Sequence, residues 1–236
     1  KSLLMTEEEK RETAYHEAGH ALVALLSEHS DPVHKVTIIP RGMALGVTLT
    51  IPERDRYGLS REEITAQIRH AMGGRAAEDL VFGKFTTGAA NDLKQATATA
   101  RQMICSYGMS DVIGPVSFGE DDHDVFLGRD LVQRKEYSEE KAREIDRELT
   151  TVLTTLYDDA KQLLTENRET LDRISDALLE RETLGTEELA LLLEGKPLPP
   201  LPALMEEDVA PSSPTPERET SAFPGENLPD PEPVPG

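Results

Sequence analysis

The apolar and polar positions divide the chain into segments of two periods. From Thr6 to about Glu28 apolar residues recur at helical spacing, among them Ala14, Ala18, Ala21, Leu22, Leu25 and Leu26. Thr6, followed by Glu7, Glu8 and Glu9, makes a capping box with acids in the first turn, where the helix dipole favours them. Asp31-Pro32 stops the helix, because the residue before a proline is pushed out of the helical region. The period then shortens. Residues 33–39 and 46–51 are β-branched and apolar, residues 40–45 connect them, and Pro52 ends the second run. This pair predicts a small antiparallel sheet directly after the first helix. Its use is either to cover the core or to offer a free edge to an extended peptide.

Ser60 with Glu63 forms a second capping box and opens a helix to about Val81 through Ile64, Ile68, Ala71 and Met72. Gly73-Gly74 inside it is unfavourable by roughly 1 kcal/mol per glycine, and a close backbone approach to another helix would explain the pair. A loop over 86–92 leads into a third helix ending near Tyr107. Residues 114–119 read as a short strand, and 120–124 as an acidic loop whose His123 is solvated rather than part of a second metal site. Ser138 caps a long helix to about Asn167, with Ile145, Leu149, Val152, Leu153, Leu156 and Leu163 on one stripe. Helices over 168–181 and 186–193 follow, the last capped by Thr186. The expected fold is mainly α: a helical domain over 1–195 with a small β-sheet beside the first helix. Within it, about 1–135 forms the core and 136–195 a C-terminal helical part. Beyond Lys196 the composition breaks. Twelve of the 16 prolines fall in 197–236 with eight acids and one Arg, so 196–236 reads as a disordered Pro-rich acidic tail.

Composition narrows the function. A net charge of −20 argues against nucleic acid or an anionic membrane surface as a direct partner. The single Cys105 excludes an internal disulfide and a thiolate zinc cluster, and fits a reducing compartment. No apolar run has membrane-spanning length, and no signal peptide is present. The chain opens Lys-Ser-Leu-Leu-Met and is expected to be a fragment of something longer.

The chemistry lies in His16-Glu17-Ala18-Gly19-His20, an H-E-x-x-H inside the first helix. Positions i and i+4 lie about 40° apart on one helical face, so both imidazoles can reach a single zinc ion at roughly 2.0–2.1 Å. Glu17 sits about 100° round the helix, too far to ligate but able to reach a water on the metal. Two His and a Glu among apolar neighbours would be costly without such a partner. A catalytic zinc keeps three protein ligands and one open position. The metzincin continuation fails, because Leu26 stands where its third His would be. Two acidic candidates remain, Glu78-Asp79 late in the second helix and Asp92 at the start of the third. The helix dipole favours an ionised carboxylate at Asp92 and disfavours one at Glu78 or Asp79 unless it is paired, and both candidates stay open on these grounds.

Several segments, in this order, resemble the peptidase domain of the FtsH family of membrane-anchored, ATP-dependent AAA+ zinc proteases. They are residues 14–21 around the H-E-x-x-H, 39–46, 73–78 (Gly-Gly-Arg-Ala-Ala-Glu), 87–93 (Thr-Gly-Ala-Ala-Asn-Asp-Leu) and 126–130. The resemblance covers about 1–195. It implies His16, His20 and Asp92 as zinc ligands, Glu17 as general base and a supporting role for Glu78. It also implies that Gly46, Val47 and Thr48 form a substrate-binding edge strand. The implied activity is zinc-dependent endoproteolysis of unfolded or damaged membrane and soluble proteins. By the same resemblance the chain works in a homo-hexamer on the cytoplasmic face of a bacterial inner membrane. No G-x-x-x-x-G-K-[ST] is present, so ATP is expected to act only through an ATPase module N-terminal to Lys1, and the membrane only through an anchor there. Two rivals are a free-standing zinc metallopeptidase and a helical oligomerisation module without catalysis. A structural zinc would need a fourth protein ligand, and no further His or Cys has suitable spacing.

Overall fold

A computed structural model describes residues 5–40, 45–52, 56–118 and 137–201. Helix α1 (Glu7–Leu26) is followed by strands β1 (Val33–Thr37) and β2 (Val47–Thr50), then by α2 (Arg61–Phe82). A 3-10 turn (Thr87–Ala89) leads into α3 (Ala90–Arg101), which runs on as a π-turn (Gln102–Ser106). The C-terminal part comprises α4 (Glu139–Glu166), α5 (Arg168–Arg181), β3 (Thr183–Gly185) and α6 (Thr186–Leu193). The chain is thus mainly helical with one small antiparallel sheet. It divides into two units, 1–199 and 200–236, and of the second only Pro200 and Leu201 are described. The acidic loop with His123, the 126–130 segment and the tail beyond Leu201 lie outside the described residues. No described helix is long and apolar enough to cross a membrane.

Local chemistry sets the helix starts. The hydroxyls of Thr6 and Ser60 accept from the backbone of Glu9 and Glu63, whose carboxylates accept from the cap backbones in return. Ser138 caps α4 in the same sense, accepting from Lys141. Gly83 ends α2 in the left-handed region at φ 62°, where a side chain would be strained.

Helix α1 is the centre of the domain. Every residue from Thr13 to Ala24 except His16 is buried, and α1 lies against α2, α5, α4 and the sheet. It meets α2 at Gly19 and Gly73. A Cβ on Gly19 would stand 2.5 Å from the Gly73 carbonyl oxygen, and one on Gly73 would stand 2.7 Å from that of Gly19. The glycine in the middle of α2 is therefore explained by backbone contact. Around this crossing Leu22, Ile64, Ile68, Ile104, Ile145, Leu164, Leu171, Ile174, Leu178 and Leu189 form one apolar cluster.

The sheet has the order β2-β1-β3, both pairs antiparallel, with Val36 opposite Thr48 on one side and Leu184 on the other. One edge is β2. Strand β3 was not expected: three residues are too few to show a period, and the chain enters it through Glu182 at φ 60°. Helix α6 (Thr186–Leu193) spans the expected residues, but its cap is one residue earlier than expected. Gly185 is the cap, its N–H donating to Glu188 at 3.0 Å, while the Thr186 hydroxyl donates to the carbonyls of Val33 and His34, both at 3.1 Å.

Residues 114–118 form no strand, contrary to expectation. Pro115 lacks an N–H, Gly114 turns at φ 86°, and the Phe118 N–H donates back to the Cys105 carbonyl at 2.6 Å. The Val116 N–H likewise turns back on the segment, donating to the Gly114 carbonyl at 2.8 Å.

Candidate metal centre

His16 and His20 project from one face of α1 toward the first turn of α3, where Asp92 lies. Their Nε2 atoms are 3.1 Å apart, and Asp92 Oδ2 lies 3.3 Å from the first and 3.6 Å from the second. One donor atom from each residue lies within 4.8 Å of the others, and among the described residues no fourth joins the group.

What lies behind each ring fixes its orientation. His16 Nδ1 donates to Glu78 Oε1 at 2.7 Å, and His20 Nδ1 donates to the His70 carbonyl oxygen at 2.8 Å. A carboxylate and a carbonyl only accept, so both Nδ1 atoms carry hydrogen, and once the rings are neutral both Nε2 atoms present lone pairs. Two lone pairs and a carboxylate oxygen therefore converge on one point, an arrangement that calls for a cation. Burial opposes charge on His16, yet the hydrogen bonds to Asp92 and Glu78 and the nearby Glu17 charge outweigh it, holding the metal-free ring up at about 10. Asp92 is the mirror case: burial raises its carboxyl, but hydrogen bonds from the two histidines hold it well below the usual carboxylate range.

Gly74 of α2 makes the room. A Cβ there would lie 2.6 Å from Nε2 of both His16 and His20, inside the point of convergence. Donor types, tautomers and the space at Gly74 all fit zinc, whose tetrahedral sites take imidazole and carboxylate and keep an open position when catalytic.

The two adjacent acids at the end of α2 part company. Glu78 is buried and accepts from His16, from Thr86 N at 3.0 Å and from Thr86 Oγ1 at 3.2 Å. Burial raises its carboxyl, and the His16 and Thr86 hydrogen bonds bring it net below the ordinary value. Asp79 points to α4 instead, accepting from Tyr157 OH at 2.6 Å and from Lys161. Sequence reasoning missed the part of His70. Its ring is pushed down to about 4 by burial and by the neighbouring His20, and its Nδ1–H donates to the His20 carbonyl at 3.1 Å. The two histidines thus clasp each other's backbone. The signal was present in the spacing: His70, Gly74 and Glu78 stand at i, i+4 and i+8 on one face of α2.

Glu17 lies round the helix from the histidines and is buried at 6% exposure. Its Oε2 accepts from Thr48 Oγ1 of β2 at 2.8 Å, and Oε1 accepts no hydrogen bond from any described residue. Of the three strand residues expected to meet substrate, Gly46 and Thr48 flank this carboxylate, and Val47 is half-buried at the start of β2.

Comparison with known proteins gives the family. Residues 3–192 match Peptidase family M41. The ATP-dependent zinc metalloprotease FtsH 4 of Sorangium cellulosum is 56% identical over 201 residues, covering 84% of this chain and 31% of the relative. An ATP-dependent zinc metalloprotease FtsH from Myxococcus xanthus is 53% identical over 195 residues, 83% of this chain and 31% of the relative. Its counterpart in Magnetococcus marinus is 49% identical over 217 residues, 92% of this chain and 32% of the relative. The chain spans about a third of the length of these curated relatives. With a family match over most of its length, the chain belongs to peptidase family M41, the FtsH family of zinc metalloproteases.

Proposed function

We propose that this chain is the zinc endopeptidase domain of an ATP-dependent protease. The observation that carries the reading is the convergence of His16 Nε2, His20 Nε2 and Asp92 Oδ2, with both Nδ1 atoms tied off behind. These three residues would hold one zinc ion, which would supply Lewis acidity to the scissile carbonyl and the attacking water. Glu17 Oε1 takes the proton of that water and passes it to the leaving amine. Glu78 and the His70 carbonyl keep the two imidazoles in the tautomer that presents Nε2. The outer edge of β2 receives an extended peptide as an added strand, its N–H and C=O groups binding any sequence alike. Such backbone recognition suits unfolded polypeptides as substrates.

The relatives' names support ATP dependence, and the resemblance to the FtsH family supports the rest of the proposal. An ATPase module of the full-length protein delivers unfolded or damaged membrane and soluble proteins to this domain. The protein works as a homo-hexamer anchored at the cytoplasmic face of a bacterial inner membrane. The test is Glu17→Gln, assayed for zinc content and casein hydrolysis. The amide cannot accept a proton, so hydrolysis should fall at least ~100-fold while zinc stays at the wild-type level. Wild-type hydrolysis by this variant would remove Glu17 from the reaction.

A further inference from the structure

Buried carboxylates need hydrogen-bond donors, and the supply to Glu17 is narrow. Among the described residues one side chain donates to it, the Thr48 hydroxyl, 2.8 Å from Oε2 and 3.1 Å from the Glu17 carbonyl oxygen. The opposite flank of the carboxyl is closed by Gly46, where a Cβ would stand 2.7 Å from both Cγ and Oε1. Two residues of one short segment thus define how the carboxylate lies. Thr48 ties one oxygen, and the bare backbone of Gly46 lies against the other without bonding it. The place of Thr48 is itself set by the sheet, since Thr48 pairs with the buried Val36 of β1.

We propose that Thr48 is a positioning residue for the general base, and that the β2 edge thereby links peptide binding to the aim of Glu17. This rests on the reading of Glu17 as the base. A peptide pairing with the outer edge of β2 stiffens the strand from which the hydroxyl reaches the carboxylate. Peptide pairing and proton transfer then depend on the same four-residue strand. Thr48 acts on the reaction through Glu17 and not through a side-chain contact with substrate.

The experiment uses the zinc-loaded full-length protein with ATP, on casein, and compares Thr48→Val, Thr48→Ser, Glu17→Gln and the double variant Glu17→Gln/Thr48→Val. Valine keeps the shape and the strand preference but lacks the donor, and serine keeps the donor. For Thr48→Val the expected result is a kcat ~10–100-fold lower, with KM within about twofold and zinc at the wild-type level. Thr48→Ser should stay within about threefold of wild type in kcat. The double variant should be no slower than Glu17→Gln alone, because the hydroxyl acts only through the carboxylate. A wild-type kcat for Thr48→Val overturns the proposal, as does a Thr48→Ser variant equally impaired. Loss of zinc from Thr48→Val also overturns it, since the hydroxyl would then serve the metal centre. Activity retained by Glu17→Gln would instead overturn the base assignment beneath it.

Discussion

Helices α1 and α2 meet through glycine and alanine, whereas α4 and α5 lie against them and bury leucine and isoleucine. At the first contact the interface carries Gly19, Gly73, Gly74 and Ala77, and polar groups are buried beside it at Thr13, Glu17, His20 and Glu78. In the second region Ile145, Leu149, Leu156, Leu164, Leu171, Ile174 and Leu178 are buried, and few polar side chains are. One contact gives up side-chain volume so that two backbones can approach, with Glu17, His20 and Glu78 buried beside it. The other supplies the apolar area that holds such an interface together. Stability and chemistry are thus largely carried by different residues, and substitutions should separate them.

The sharpest separation lies between neighbours. Gly74→Ala drives a methyl into the space between the two imidazole nitrogens, at 2.6 Å from each. The rings can swing aside, so the metal-free fold should survive, helped by the better helix propensity of alanine. Zinc binding and hydrolysis should both fall ~100-fold or more, given what ligand displacement does to a metal site. Gly73→Ala meets the Gly19 backbone, which cannot swing. It should lower stability by about 1–3 kcal/mol in denaturant titration. Equal effects of the two substitutions on zinc affinity would dissolve the distinction.

In the leucine region the expected effect is on stability alone. Leu178 is fully buried in α5, and Leu178→Ala should cost about 2–5 kcal/mol, read as a shift of the urea midpoint. Zinc per folded chain should not change. A parallel loss of zinc would mean that the C-terminal helices take part in shaping the metal centre.

The smallest effect is on protons. Without metal the His16 ring is held up at about 10, so at pH 7 it is protonated, and zinc must displace that proton. Calorimetry in two buffers of different ionisation heat should detect about one proton released per zinc bound. Zinc affinity should rise as pH increases toward 10. The fold linkage has the opposite sign. A raised folded-state value stabilises the metal-free domain fully below the ordinary histidine value of 6.5, and this is lost as pH rises through about 10.

The comparison of the two regions also explains what could be read from the sequence. Stripes such as Ile145, Leu149 and Leu156 repeat at one period because the buried positions are apolar throughout α4 and, but for Ser175, in α5, so both helices were legible almost to the residue. The capping boxes at Thr6 and Ser60 are local and were legible for the same reason. Helix α1 is legible from its run of small apolar residues and its cap at Thr6, although it is buried on nearly all sides. Strand β3 escaped because its pairing with β1 joins residues about 150 positions apart, for example Lys35 and Gly185. The strand expected at 114–119 is absent from the described part, 114–118, because Val116 and Phe118 in so short a run do not ensure a partner, and Pro115 removes a donor. The family resemblance implies a substrate-binding strand at Thr48, while the bond of Thr48 to Glu17 depends on how β2 lies against α1.

The central claim is that His16, His20 and Asp92 hold the metal and that Glu78 supports them from behind. Chelator competition on purified Asp92→Asn and Glu78→Gln tests it most directly. A neutral amide is a poor zinc ligand, so Asp92→Asn should lose its zinc to a competitor that leaves the wild type loaded. Glu78→Gln should keep its zinc with affinity lowered only ~10–100-fold, as expected for a hydrogen-bond partner of a ligand. Zinc retained by Asp92→Asn and lost from Glu78→Gln would contradict the account, making Glu78 the third ligand.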